Sequence, residues 1–146
     1  MNKADRIVRQ AAAALLAFGL VLAFQAAGQA SAKINWYDFD KGIAKSREEG
    51  KKIYINFYSD LCQYCEAMER ETFSDPSVVS YLSENFIAIR INSDREKKLA
   101  ADFRVRGLPD SWFMEETGSV IGHRPGFIPA ATFFKILQSI QKTGAE

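Results

Sequence analysis

The chain has 146 residues, 47% of them hydrophobic, with 19 Lys and Arg against 18 Asp and Glu for a net charge of +1. That length holds one domain with a real core and not two. The charge balance gives no footing for nucleic acid or a strongly charged partner, and two cysteines are too few for a disulfide-stapled scaffold.

Residues 1–32 follow the order of a secretory signal. Lys3, Arg6 and Arg9 form a basic head, Ala11 to Phe24 is uncharged and apolar, and small residues end in Ala30-Ser31-Ala32. The apolar stretch is shorter than the roughly 20 residues a membrane-spanning helix needs. The reading is a signal peptide cut after Ala32, with a retained membrane anchor as the alternative. The segment has no cysteine for a lipid and no paired arginines. Residues 33–146 then form the folded domain, close to neutral and exported.

Asp38 to Glu49 reads as a helix with Phe39 and Ile43 on one face, stopped by Gly50. Lys52 to Tyr58 (KIYINFY) is β-branched and aromatic, and reads as a strand buried on both faces. Ser59-Asp60-Leu61 turns out of it into a helical stretch that begins at the cysteines. Asp75 caps a further helix that Pro76 opens. Asn85 to Asn92 (NFIAIRIN) is a second strand, and Ser93 to Phe103 a loosely amphipathic helix. After Gly107-Leu108-Pro109, Ser111 to Glu115 is a third strand. A turn over 116–119 leads into an edge strand, Val120 to Arg124. Pro129 opens the last helix, with Phe133, Phe134, Ile136, Leu137 and Ile140 as its buried side. Strands separated by helices imply parallel pairing, and the closing hairpin adds an antiparallel edge. The fold class is α/β, a central mixed sheet with helices on both faces.

Cys62 and Cys65 are the chain's two cysteines. At the start of a helix, unpaired N–H groups and the positive end of the macrodipole stabilise a thiolate, which makes Cys62 the nucleophile. Cys65 lies one turn on, on the same face, and can attack a mixed disulfide at Cys62. A metal site needs more ligands than this: structural zinc takes four Cys or His, and the one histidine, His123, falls in the edge strand as a surface residue. A structural disulfide here would close too small a loop to gain much chain entropy. No G-x-S-x-G elbow supports a serine hydrolase.

Strand, Cys-x-x-Cys, helix, strand, helix, then Gly-Leu-Pro before a hairpin and a final helix resembles the thioredoxin family over nearly all of residues 33–146. The stretch from Phe57 to Asp94, with "TFSDPSV" after the active-site helix and "VRGLP" further on, is similar to the C-terminal domain of thiol:disulfide interchange protein DsbD and to SoxW-type thioredoxins. The resemblance implies a thioredoxin fold, Cys62 as the exposed nucleophile, Cys65 as the buried resolving thiol and Pro109 as a cis-proline facing them. Leu108 would offer backbone hydrogen bonds to a bound partner strand, and Gln63 and Tyr64 would also meet the partner. For Tyr64 the alternative is an exposed tyrosine filling a loop.

Three departures from the family pattern bear on the chemistry. Leu61 stands where members often have Trp. Asn56 stands where many have a buried Asp that moves the resolving thiol's proton, so Glu69, one turn beyond Cys65, becomes the candidate, against the reading of a solvated helix carboxylate. Gln63-Tyr64 matches neither Gly-Pro nor Pro-His, and Asp60, Glu66 and Glu69 near Cys62 oppose its thiolate, which points away from a strong oxidant. The expected function is a periplasmic thiol–disulfide oxidoreductase, monomeric and without cofactor. It would reduce disulfides of exported proteins and be recharged by a membrane-bound electron donor. The alternatives are a metal or apo-protein carrier without turnover, and a disulfide oxidase or isomerase.

Overall fold

The structure, a computed structural model, describes residues 33–143; the expected signal segment lies outside them. The elements are β1 (Trp36–Tyr37), α1 (Phe39–Glu49), β2 (Lys52–Tyr58), α2 (Gln63–Glu71), α3 (Pro76–Asn85), β3 (Phe86–Asn92), α4 (Lys97–Asp102), β4 (Asp110–Met114), β5 (Val120–Pro125) and α5 (Ala130–Lys142). None of the described helices is long and apolar enough to cross a membrane.

The sheet runs β1-β3-β2-β4-β5. β1 and β2 flank β3 in parallel, while β4 is antiparallel to β2 and β5 to β4. β2 is central because its side chains are apolar on both faces, and each face meets a separate hydrophobic cluster. Tyr54 and Phe113 join Met68, Val78, Leu82, Phe133 and Leu137 from α2, α3 and α5. Ile53, Ile55 and Phe57 pack with Phe39 and Ile43 of α1 and with Leu99 and Phe103 beside or within α4. Helices on both faces of a mixed sheet are as expected.

Local chemistry sets the boundaries. Asp38 Oδ1 accepts the Lys41 N–H at 3.0 Å to start α1, and Gly50, at φ 62°, ends it. Asp75 accepts from the N–H groups of Ser77 and Val78 at 2.9 and 3.1 Å to start α3. Gly42 lets α1 sit against β3, since a Cβ there would collide with the Ile89 side chain.

Two elements differ from expectation. The helix expected from Ser93 begins only at Lys97, because Asn92 Oδ1 draws the N–H groups of Asp94 and Arg95 into a turn at 3.0 and 3.3 Å. β1 was not anticipated: a two-residue strand carries no readable alternation, and it exists through its pairing with Ala88 and Ile89.

Candidate active site

β2 ends at Tyr58, and the turn 59–61 delivers Cys62 to the N-cap of α2, in extended backbone at φ −94°, ψ 104°. Its Sγ accepts the Cys65 N–H at 3.2 Å, and its carbonyl accepts from Cys65 and Glu66 at 3.0 and 3.1 Å. The sulfur therefore occupies the place of a capping side-chain oxygen, where a thiolate would receive a charge-assisted hydrogen bond. Cys62 and Cys65 are joined in a disulfide with Cα atoms 5.2 Å apart. Cys62 is half-buried and Cys65 is 6% exposed, so the first cysteine is the more open of the two.

Two large apolar side chains lie exposed on either side of Cys62 in the chain. Leu61 is 94% exposed and Tyr64 68%, and Gln63 lies exposed between the cysteines. Across from them, the Leu108–Pro109 peptide bond is cis. Asp110, the next residue, pairs with Phe57 one position before the end of β2, which brings Leu108 and Pro109 to the sheet end that carries the cysteines. Pro109 O accepts the Gly126 N–H at 2.7 Å. Cys62, Cys65, Gln63, Tyr64, Leu108 and Pro109 thus share one end of the sheet.

On β2, six residues before Cys62, Asn56 is buried and neutral. Its Nδ2 donates to the Tyr54 hydroxyl at 3.4 Å, and that hydroxyl lies 3.0 Å from Ser111 Oγ. Burial raises the Tyr54 phenol above its ordinary pKa, so this polar row holds its protons at neutral pH. Glu69 lies to the side. A cavity of about 200 Å³ is lined by Cys65, Glu66, Glu69, Asp60, Tyr58 and Arg90, among others. Glu69 Oε2 is 3.0 Å from the Arg90 guanidinium, which lies over the Tyr58 ring at 4.1 Å from its centroid.

The carboxylates near Cys62 are not all unopposed. Asp60 accepts from Arg95 at 2.8 Å and from Asn92 Nδ2 at 3.1 Å, and Glu69 has Arg90. These guanidinium partners take up part of the negative field that the sequence alone places at Cys62. Arg90 was missed; its signal was the one charge within the apolar run FIAIRIN. The Asp110–His123 contact, at 3.1 Å, was missed as well.

Dithiol–disulfide exchange on a mixed sheet of this order is the chemistry of a thiol–disulfide oxidoreductase of thioredoxin fold. A family model described as a thioredoxin-like domain matches residues 39–141, and the chain belongs to that family. It is 32% identical over 113 residues to thiol:disulfide interchange protein DsbD of Photorhabdus laumondii, covering 74% of this chain and 19% of the relative. The chain therefore spans about a fifth of the length of the curated relatives it matches. A solution structure of a thioredoxin from Thermus thermophilus superposes with TM-score 0.71 at 27% identity, covering 77% of this chain and 91% of that one. The oxidised C-terminal domain of DsbD from Neisseria meningitidis shares the fold, with TM-score 0.59 at 22% identity over 68% of this chain and 90% of its own.

Proposed function

We propose that the protein is exported to the periplasm and reduces disulfides in partner proteins, itself being recharged by a membrane-bound electron donor. The observation that carries this reading is the pairing of a half-buried Cys62 at the N-cap of α2 with a buried Cys65 one turn on. The thiolate of Cys62 attacks a partner disulfide, forming a mixed disulfide and releasing one partner thiolate. Cys65, deprotonated, then attacks Cys62 Sγ, so the second partner sulfur leaves and the Cys62–Cys65 bond closes. Two electrons pass to the partner, and its two thiolates take up protons.

In this reading the partner lies across Leu61, Gln63, Tyr64 and the Leu108–Pro109 loop, with Leu108 offering its backbone to an extended segment. Glu69 takes the Cys65 proton through the neighbouring cavity, a role that the neutral Asn56 leaves open. Support for export comes from the composition of residues 1–32 and from the kinship to proteins named for thiol:disulfide interchange. The chain works as a monomer without a cofactor, since the two sulfurs carry the electrons.

The test is a trapping experiment with the full chain. Cys65→Ser should accumulate mixed disulfides with periplasmic proteins, and Cys62→Ser should form none. Absence of adducts from Cys65→Ser would remove the mechanism. A measured reduction potential then fixes the direction of electron flow, and stoichiometric copper retained by an inert dithiol would mark a carrier instead.

A further inference from the structure

One buried carboxylate at this end of the sheet takes no part in the exchange chemistry. Asp110 follows Pro109 directly, and its side chain is 3% exposed. Asp is a poor strand residue, and burying its carboxylate is unfavourable unless a partner meets it. The partner is His123 of β5, whose Nδ1 lies 3.1 Å from Asp110 Oδ1.

The register explains how an edge-strand residue reaches a buried one. The bond from Gly126 N–H to Pro109 O brackets the Asp110–Pro125 pair, so that rung is a non-hydrogen-bonded one. Two residues on, Trp112 opposite His123 is of the same kind, the geometry in which facing side chains come closest. The imidazole lies on the Trp112 indole with centroids 4.3 Å apart and planes at 19°. Trp112 in turn meets Phe103 edge-on at 5.0 Å. Stacking fixes the plane of the ring, and the ring's Nδ1 then fixes the Asp110 carboxylate. The segment entering β4 is thus tied at Pro109 by Gly126 and at Asp110 by both Phe57 and His123.

We infer that Asp110 and His123 are positioning residues for partner recognition: their contact holds the Leu108–Pro109 backbone in the place where a partner's extended segment docks. The inference rests on the proposed reduction of protein disulfides. Neither side chain exchanges electrons. The pair acts on how well a protein substrate is seated, and a small reagent that reaches Cys62 directly has no use for it.

The experiment compares wild type with His123→Ala, His123→Phe and His123→Asn. Phe keeps a ring against Trp112 without a donor, and the Asn amide nitrogen stands close to where Nδ1 lay. The readouts are KM and kcat for insulin reduction with dithiothreitol, and the alkylation rate of reduced Cys62 by iodoacetamide. For His123→Ala and His123→Phe we expect KM to rise about three- to tenfold while kcat and the alkylation rate stay within about twofold. His123→Asn should return KM to within about twofold of wild type. Unchanged KM in both the Ala and Phe variants, with wild type active, overturns the inference. So does a parallel fall of kcat and alkylation, which marks a general loss of structure. A wild type that does not reduce insulin at all overturns the parent reading instead, before any variant is compared.

Discussion

In the proposed mechanism, proton handling at Cys65 falls to Glu69, because Asn56 is neutral. Asn56 sits in a row with Tyr54 and Ser111 whose members keep their protons, so that row offers no base. Glu69 stands at the wall of the cavity that also contains Cys65, and its ion pair with Arg90 holds it in place. Glu69→Gln should therefore slow resolution of the mixed disulfide, lowering kcat about three- to tenfold while iodoacetamide alkylation of Cys62 is unaffected. Rapid-quench measurement of mixed-disulfide decay checks this, and an unaltered decay would assign Glu69 to a purely structural ion pair. Cys62 and Cys65 stood out in the sequence by spacing and residue type, while the cis bond at Pro109 was anticipated only through the resemblance to the thioredoxin family. Arg90 and the Asp110–His123 contact were not, because each depends on which strands become neighbours across the sheet.

Among the elements, those with strong local signals were legible almost to the residue. Asp75 and Pro76 announce α3 unaided, and the structure shows Asp75 meeting two N–H groups. Asp75→Ala should lower the free energy of unfolding by about 0.5–2 kcal/mol, read by urea denaturation. The reactivity of Cys62 should be unchanged, and a loss below that range would mean the cap adds little here. α4 was overextended in the sequence reading because Asn92 bends the chain with its own side chain, a local competition that apolar periodicity cannot register. β1 was invisible for the opposite reason, since its two residues are a strand only by virtue of β3.

The described domain is held by two hydrophobic clusters, one on each face of the sheet, and neither includes Cys62 or Cys65. Closing so short a loop removes only about 2 kcal/mol of chain entropy from the unfolded state. Reduction by dithiothreitol should leave a cooperative urea transition, with stability lowered by no more than about that amount. Loss of cooperativity on reduction would show that the core depends on the bond. The strand order itself was not legible: alternating elements imply parallel neighbours, but the place of β3 between β1 and β2 is settled by contacts distant in sequence. The register of β5 has a consequence for how the protein keeps company. At a rung that makes no bonds to β4, residue 125 turns its backbone outward, and being proline it offers no donor there. With His123 and Arg124 beside it, the margin of the sheet nearest the cysteines resists adhesion of a stray strand. A thiol–disulfide oxidoreductase gains from such a margin, because another chain's sulfurs can reach Cys62 without its backbone being drawn into the sheet edge.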